Sequence, residues 1–178
     1  MLPVFARDLL MVGPEGLGLM RGAPALGAAA VAAWMAWRPL ENNVGPKMLV
    51  AVIVFGAATI AFGLSRSFEL SLAFLVLLGA ADMISVFVRS SLVQLNTPDR
   101  MRGRVSSISH LAISASNELG EMQSGFAAAL LGPVGAVVFG GAGAIFVTLV
   151  WAVLFPELRR ARTFAPEFLD EPSREPKP

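Results

Sequence analysis

The stretch MLVAVIVFGAATIAFGL, Met48 to Leu64, contains no charged residue. A hydrocarbon core of roughly 30 Å is crossed by about 20 helical residues, and few soluble folds could bury so uniform a run. Four more segments have comparable length: about Gly16 to Trp37, Leu70 to Val93, Val105 to Leu131 and Val134 to Phe155. Lipid offers no partner for backbone N–H and C=O groups, so runs of this length must be helices rather than the ten-residue strands of a barrel. Composition agrees, with 55% hydrophobic and 15% charged residues and a mean hydropathy of +0.66. That is more apolar side chain than one soluble domain buries. The expected fold is all-α, a polytopic membrane bundle with five complete spans.

The first expected span, GLGLMRGAPALGAAAVAAWMAW, is interrupted by Pro24 and ends in Trp34 and Trp37, which suit a membrane interface. Small residues recur four apart, as Gly18/Gly22, Ala23/Gly27, Ala28/Ala32 and Ala136/Gly140. Such spacing lets helices approach closely where no hydrophobic effect drives them together. The fourth and fifth spans are separated only by the turn Gly132-Pro133-Val134 and are expected to close as a hairpin. Residues 1–10, MLPVFARDLL, are too short to cross and lack the basic region and apolar core of a signal peptide. They read as the end of a further transmembrane helix and an outer loop, followed by the bundle over residues 11–155. Residues 156–178 become rich in Pro and Glu and are expected to form a disordered cytoplasmic tail.

Lys and Arg set the orientation. Arg38, Lys47, Arg100, Arg102, Arg104, Arg159, Arg160, Arg162, Arg174 and Lys177 all fall on one side of the expected topology, against Arg7, Arg66 and Arg21 on the other. The positive-inside rule then places the long loops and the C-terminus in the cytoplasm. With no cysteine, neither disulfides nor thiolate metal sites are available. The segment NTPDRMRGRVSS, Asn96 to Ser107, opens with a helix-start signal at Thr97-Pro98-Asp99, and its arginines read as a cytoplasmic anchor. The cluster is short, lacks interleaved aromatics and sits between two spans, so no nucleic-acid partner is expected.

Polar residues inside the spans carry the functional signal. At 3.6 residues per turn, His110, Ser114, Asn117, Glu121 and Ser124 share one face, and Glu118 stands about 80° round from it. On the third span Asp82, Ser85 and Arg89 share a face. An ionised side chain at mid-bilayer costs about 2.5–3.5 kcal/mol even on lenient scales, so these stripes are expected to face a polar lumen. A carboxylate in such a lumen can load and release a proton as access alternates. Glu121, Glu118, Asn117, Asp82, Arg89 and Ser114 are therefore the candidate proton and substrate pathway, with Glu121 central. The alternative is a structural pair, Asp82 or Glu118 with Arg89 or His110, that only locks helices. His110 and Ser114 could touch, yet no Gly-x-Ser-x-Gly elbow or third orienting group accompanies them. No metal cluster, phosphate loop or dinucleotide fingerprint is present, so neither an enzyme nor a cofactor is expected.

TPDRMRGRVSS, the helix NELGEMQSGFAAALLG, Gly140-Gly141 and LFPELRR at Leu154 to Arg160 resemble the last two spans of major facilitator superfamily exporters. The likeness is to the branch of enterobactin exporters and related drug-efflux proteins. It extends back through LPVFARDLL and GPEGLGLMRGAPALGA, over nearly the whole chain. The resemblance implies the C-terminal half of a twelve-helix secondary transporter in the inner (cytoplasmic) membrane, exporting a small amphiphile such as a siderophore or drug against proton entry. It implies a missing six-helix N-terminal half as partner. RPLENNVGPK, Arg38 to Lys47, stands where the family has its Gly-x-x-x-Asp-Arg-x-Gly-Arg-Lys gating motif, but keeps only Gly45 and Lys47, with Asn42 and Asn43 replacing Asp and Arg. Arg102, Gly103 and Arg104 form the second expected gating loop. Two other readings remain: a truncated membrane protein that transports nothing, and a half-transporter needing a separately encoded chain.

Overall fold

The computed structural model describes residues 2–6, 10–38, 40 and 43–156. The expected tail from Glu157 onward, Arg7 and part of the first gating loop (Pro39, Glu41 and Asn42) lie outside them. The described residues form a short α1 (Leu2–Val4) and then α2 (Pro14–Trp37), α3 (Val44–Leu64), α4 (Phe68–Leu95) and α5 (Asp99–Leu154). No strand occurs among them.

Among the described residues, four helices are long and apolar enough to cross a membrane. The expected fourth and fifth spans fall within α5, whose 56 residues are broken at Gly132 (φ 74°, ψ 171°). Unbroken, 56 residues would extend about 84 Å, far beyond any bilayer. Gly132 occupies a region of backbone space open essentially to glycine alone, and Pro133 supplies no N–H to continue the ladder. These two residues divide α5 into an N-terminal arm, 99–131, and a C-terminal arm, 133–154. The two expected spans thus run as one element of 56 residues broken at Gly132.

The helices begin earlier than hydropathy alone suggests. Proline lacks the N–H that a first helical turn leaves unpaired, so Pro14 opens α2 and Pro98 stands just before α5. Asn43, at φ 55° and ψ 45°, turns the chain into α3. Asparagine tolerates this left-handed conformation better than most residues. Gly45 and Lys47 therefore lie in the first turn of α3, and Arg102, Gly103 and Arg104 in the first two turns of α5, where loops were expected.

α4 lies against both α2 and α3, and α3 in turn carries α5. Backbones meet where side chains vanish. A Cβ on Gly79 would lie 2.5 Å from the Cα of Pro24, and one on Gly27 would lie 2.9 Å from the Ala80 nitrogen, so α2 and α4 touch main chain to main chain. Gly56 and Gly141 play the same part between α3 and α5, each Cβ meeting the other's carbonyl at 2.8 and 2.7 Å. Ala23 and Gly27 thus pack as their spacing predicts, while Gly18, Gly22 and Gly140 face open space. Gly141 takes the contact in place of Gly140.

Two apolar clusters cap the contacts. At one end Phe5, Ala6, Met20, Ala23, Phe62 and Leu75 are buried together, with Phe5 stacked on Phe62 at 4.9 Å. The residues preceding α2 are thereby fastened to the bundle. At the other end Met35, Leu40, Val44 and Val88 form the second cluster. The turn between α3 and α4 is tied by hydroxyls, Ser71 Oγ donating to Ser65 Oγ at 3.1 Å and Ser65 Oγ to the Ser67 carbonyl at 3.1 Å. Among the described residues no buried side-chain polar atom is left without a partner.

Candidate functional site

The N-terminal arm of α5 is the polar element, and it is the least covered. Every residue from His110 to Phe126 is exposed, Asn117, Glu118 and Glu121 among them. α4 touches α5 sparsely, and the arm's neighbours are its own C-terminal counterpart and the far end of α4. The helix is continuous through residue 131, so His110, Ser114, Asn117, Glu121 and Ser124 do share one face. That face opens outward from the four long helices rather than into their interior. Asp82 and Arg89 on α4 are also exposed, and Ser85 is half-buried. Among the described residues, α2 to α5 do not by themselves enclose these side chains.

The proposed locking pairs are absent too. Among the described residues Asp82, Glu118 and Glu121 form no ion pair with Arg89 or His110, while Arg102 and Asp99 form one at 2.7 Å. That pair is i, i+3 on an exposed first turn, where such contacts contribute roughly 0–1 kcal/mol.

Of the cavities that border the arm, two have polar walls. The larger, about 720 Å³, lies between the two arms of α5 and is lined by Ser116, Gly120, Gln123, Ser124, Gly140, Gly143 and Thr148 among others. Small residues on both walls leave this space, since Gly120, Gly140 and Gly143 present no side chain to fill it. Thr148 contributes little polarity, because its hydroxyl donates back to the Ala144 carbonyl at 2.7 Å. Ser124 is the one member of the sequence-read stripe that reaches this cavity; Glu121 lies about 100° from Gly120 around the helix and does not.

The smaller cavity, about 280 Å³, lies between the last turns of α4 and the first half of the N-terminal arm. Arg89 and His110 both line it, from helices whose sequences suggested only that each carried a polar residue. Ser90, Gln94, Ser106 and Ser109 complete its polar wall. Sequence reading missed these four, yet a signal existed: Ser106, Ser109 and His110 follow helical spacing on one face, as do Arg89, Ser90, Val93 and Gln94. Serines in apolar spans pass as packing residues until a neighbouring helix shows what they face.

Among the described residues, four helices long and apolar enough to cross a membrane define an integral membrane protein, with Asp82 and Arg89 on α4 and His110, Glu118 and Glu121 on α5. The chain belongs to the transmembrane secretion effector family of the major facilitator superfamily, whose family model matches residues 1–173. It is 31% identical over 148 residues to the enterobactin exporter EntS of Citrobacter koseri, covering 82% of this chain and 35% of that protein. Enterobactin exporter EntS of Escherichia coli O1:K1 / APEC is 27% identical over 153 residues, covering 85% and 36%. That of Shigella boydii serotype 18 is 26% identical over 167 residues, covering 93% and 39%. The chain thus spans little more than a third of the length of these relatives. No solved structure matches it.

Proposed function

We propose that the chain forms the C-terminal part of a secondary exporter that moves a small amphiphilic molecule, such as a siderophore or drug, out of the cell against entering protons. The observation that carries this reading is the uncovered polar face of the N-terminal arm of α5. Glu121 forms no ion pair among the described residues and stands with Asn117 and Ser114 on the exposed side of this arm. Charge in such a position is costly against lipid, and a second helical half placed across this face would turn it into the wall of a water-filled path. The matched regions make up 35% and 39% of two of the exporters it resembles, which accords with such a half.

In this reading Gly132 and Pro133 form the turn between two separate spans, making five in all. The ends bearing Arg38, Lys47, Arg100, Arg102 and Arg104 face the cytoplasm, together with the C-terminus, in the inner membrane. Glu121 carries the proton, Asn117 and Ser114 supply hydrogen bonds along the path, and Asp82 and Glu118 flank it. Gly45, Lys47, Arg102, Gly103 and Arg104 sit where the two halves would close on the cytoplasmic side.

The test replaces Glu121 with Gln in the complete transporter reconstituted in proteoliposomes. Efflux driven by an imposed proton gradient should fall at least tenfold while downhill exchange of substrate persists. Because Glu121 forms no ion pair among the described residues, the unfolding midpoint of the protein should stay unchanged. Proton-driven efflux at the unsubstituted rate would sink the role of Glu121.

A further inference from the structure

The cavity between α4 and α5 has a chemistry of its own. Its polar wall consists of Arg89, Ser90, Gln94, Ser106, Ser109 and His110, with no carboxylate. Arginine is charged at every accessible pH and can only donate, and the serine hydroxyls, the glutamine amide and the imidazole each offer a donor as well. Arg89 makes no ion pair among the described residues. Along its own helix the nearest acid, Asp82, lies about 10 Å away, and along α5 Glu118 lies about 12 Å beyond His110. The other charges near this end of α5 are Arg100, Arg104 and the already paired Asp99 and Arg102. Local charge is therefore positive, and no carboxylate among the described residues pairs with the guanidinium.

The rest of the lining is Val93, Ala112 and Ile113. An arginine with convergent hydroxyls beside an apolar wall matches a molecule with one acidic group on an apolar body. The volume, about 280 Å³, holds a carboxylate or phenolate with one or two rings rather than a large macrocycle. We infer that Arg89, with Ser106, Ser109 and His110, forms a subsite for the acidic group of an amphiphilic anion. This rests on the export reading for its place in transport, but the recognition itself is a binding property. Arg89 pairs with the acid, the serine hydroxyls hold its second oxygen, and Ile113 and Val93 take the apolar body. The subsite lies about 9 Å inside the end of α4, deep enough to select between charged and neutral molecules yet close to the basic end of the bundle.

The experiment measures binding of 1-naphthoate and of its neutral counterpart 1-naphthalenemethanol to the 178-residue chain in phosphatidylcholine nanodiscs, with empty discs as the blank. Charge-assisted hydrogen bonds dominate in such a site, so naphthoate should bind at least tenfold more tightly. Arg89→Gln should erase the preference, Arg89→Lys should keep part of it, and the double change Ser106→Ala with Ser109→Ala should weaken naphthoate three- to tenfold without altering charge. Arg100→Gln should leave both affinities as they are. Equal binding of the two probes overturns the subsite, as does a preference that survives Arg89→Gln or is lost equally in Arg100→Gln, since the latter would reflect only the general field of the basic end. Intact far-ultraviolet circular dichroism separates loss of the site from loss of the fold. If binding shows no preference for the anion while the complete transporter exports, the subsite fails and the export reading stands; if the preference is present without export, the reverse holds.

Discussion

Replacing Gly79 with alanine tests the packing that holds α2 to α4. The added Cβ would sit 2.5 Å from both the carbonyl carbon and the Cα of Pro24, about 0.9 Å inside ordinary van der Waals contact. Those atoms are main chain, so no side-chain rotation can make room; the helices must part. Overpacking of this kind costs typically 1–3 kcal/mol, and with a rigid neighbour the upper part of the range applies. Against it, alanine gains about 0.8–1 kcal/mol over glycine in a helix interior. The net expectation is a loss of about 2 kcal/mol for Gly79→Ala. Gly18 lies on α2 with nothing within 4 Å of its Cβ position, so Gly18→Ala should be neutral or stabilising by up to about 1 kcal/mol. The assay is unfolding of the purified chain in mixed micelles with increasing dodecyl sulfate, followed by fluorescence of Trp34 and Trp37 on α2. The two variants should differ by about 3 kcal/mol. If Gly79→Ala unfolds at the same denaturant fraction as Gly18→Ala, backbone contact does not hold this crossing and the packing argument fails.

Two further outcomes follow from the geometry. Gly132→Ala meets open space, so its whole cost is backbone strain at φ 74°, of order 1–3 kcal/mol in the same unfolding assay, whereas Gly120→Ala, helical and equally open, should cost nothing. Phe5→Ala removes a fully buried ring stacked on Phe62 and should lose about 3 kcal/mol, with a coupling of about 1 kcal/mol to Phe62→Ala in a double-mutant cycle; additive losses would mean the two rings do not support one another.

The sequence determined that this chain is helical and built for lipid, because runs such as Met48 to Leu64 leave the backbone no other way to satisfy itself in a bilayer. It also gave the faces: Glu121 aligns with Asn117 and Ser114 through helical periodicity alone, and TPDRMRGRVSS and NELGEMQSG already resembled the exporter superfamily to which the chain belongs. Periodicity speaks only of one helix at a time, however. It could not say that Gly141, not Gly140, meets Gly56, because neighbouring glycines differ by about 100° and only the partner chooses between them. Nor could it reveal that Arg89 and His110 line one cavity without a carboxylate, or that serines from α4 and α5 line it with them. Those depend on the crossing of two helices, set by which small residues let backbones approach. The polar stripe of α5 was visible from its spacing, but that the surrounding helices leave it uncovered was decided by α3 carrying the C-terminal arm while the N-terminal arm stands apart.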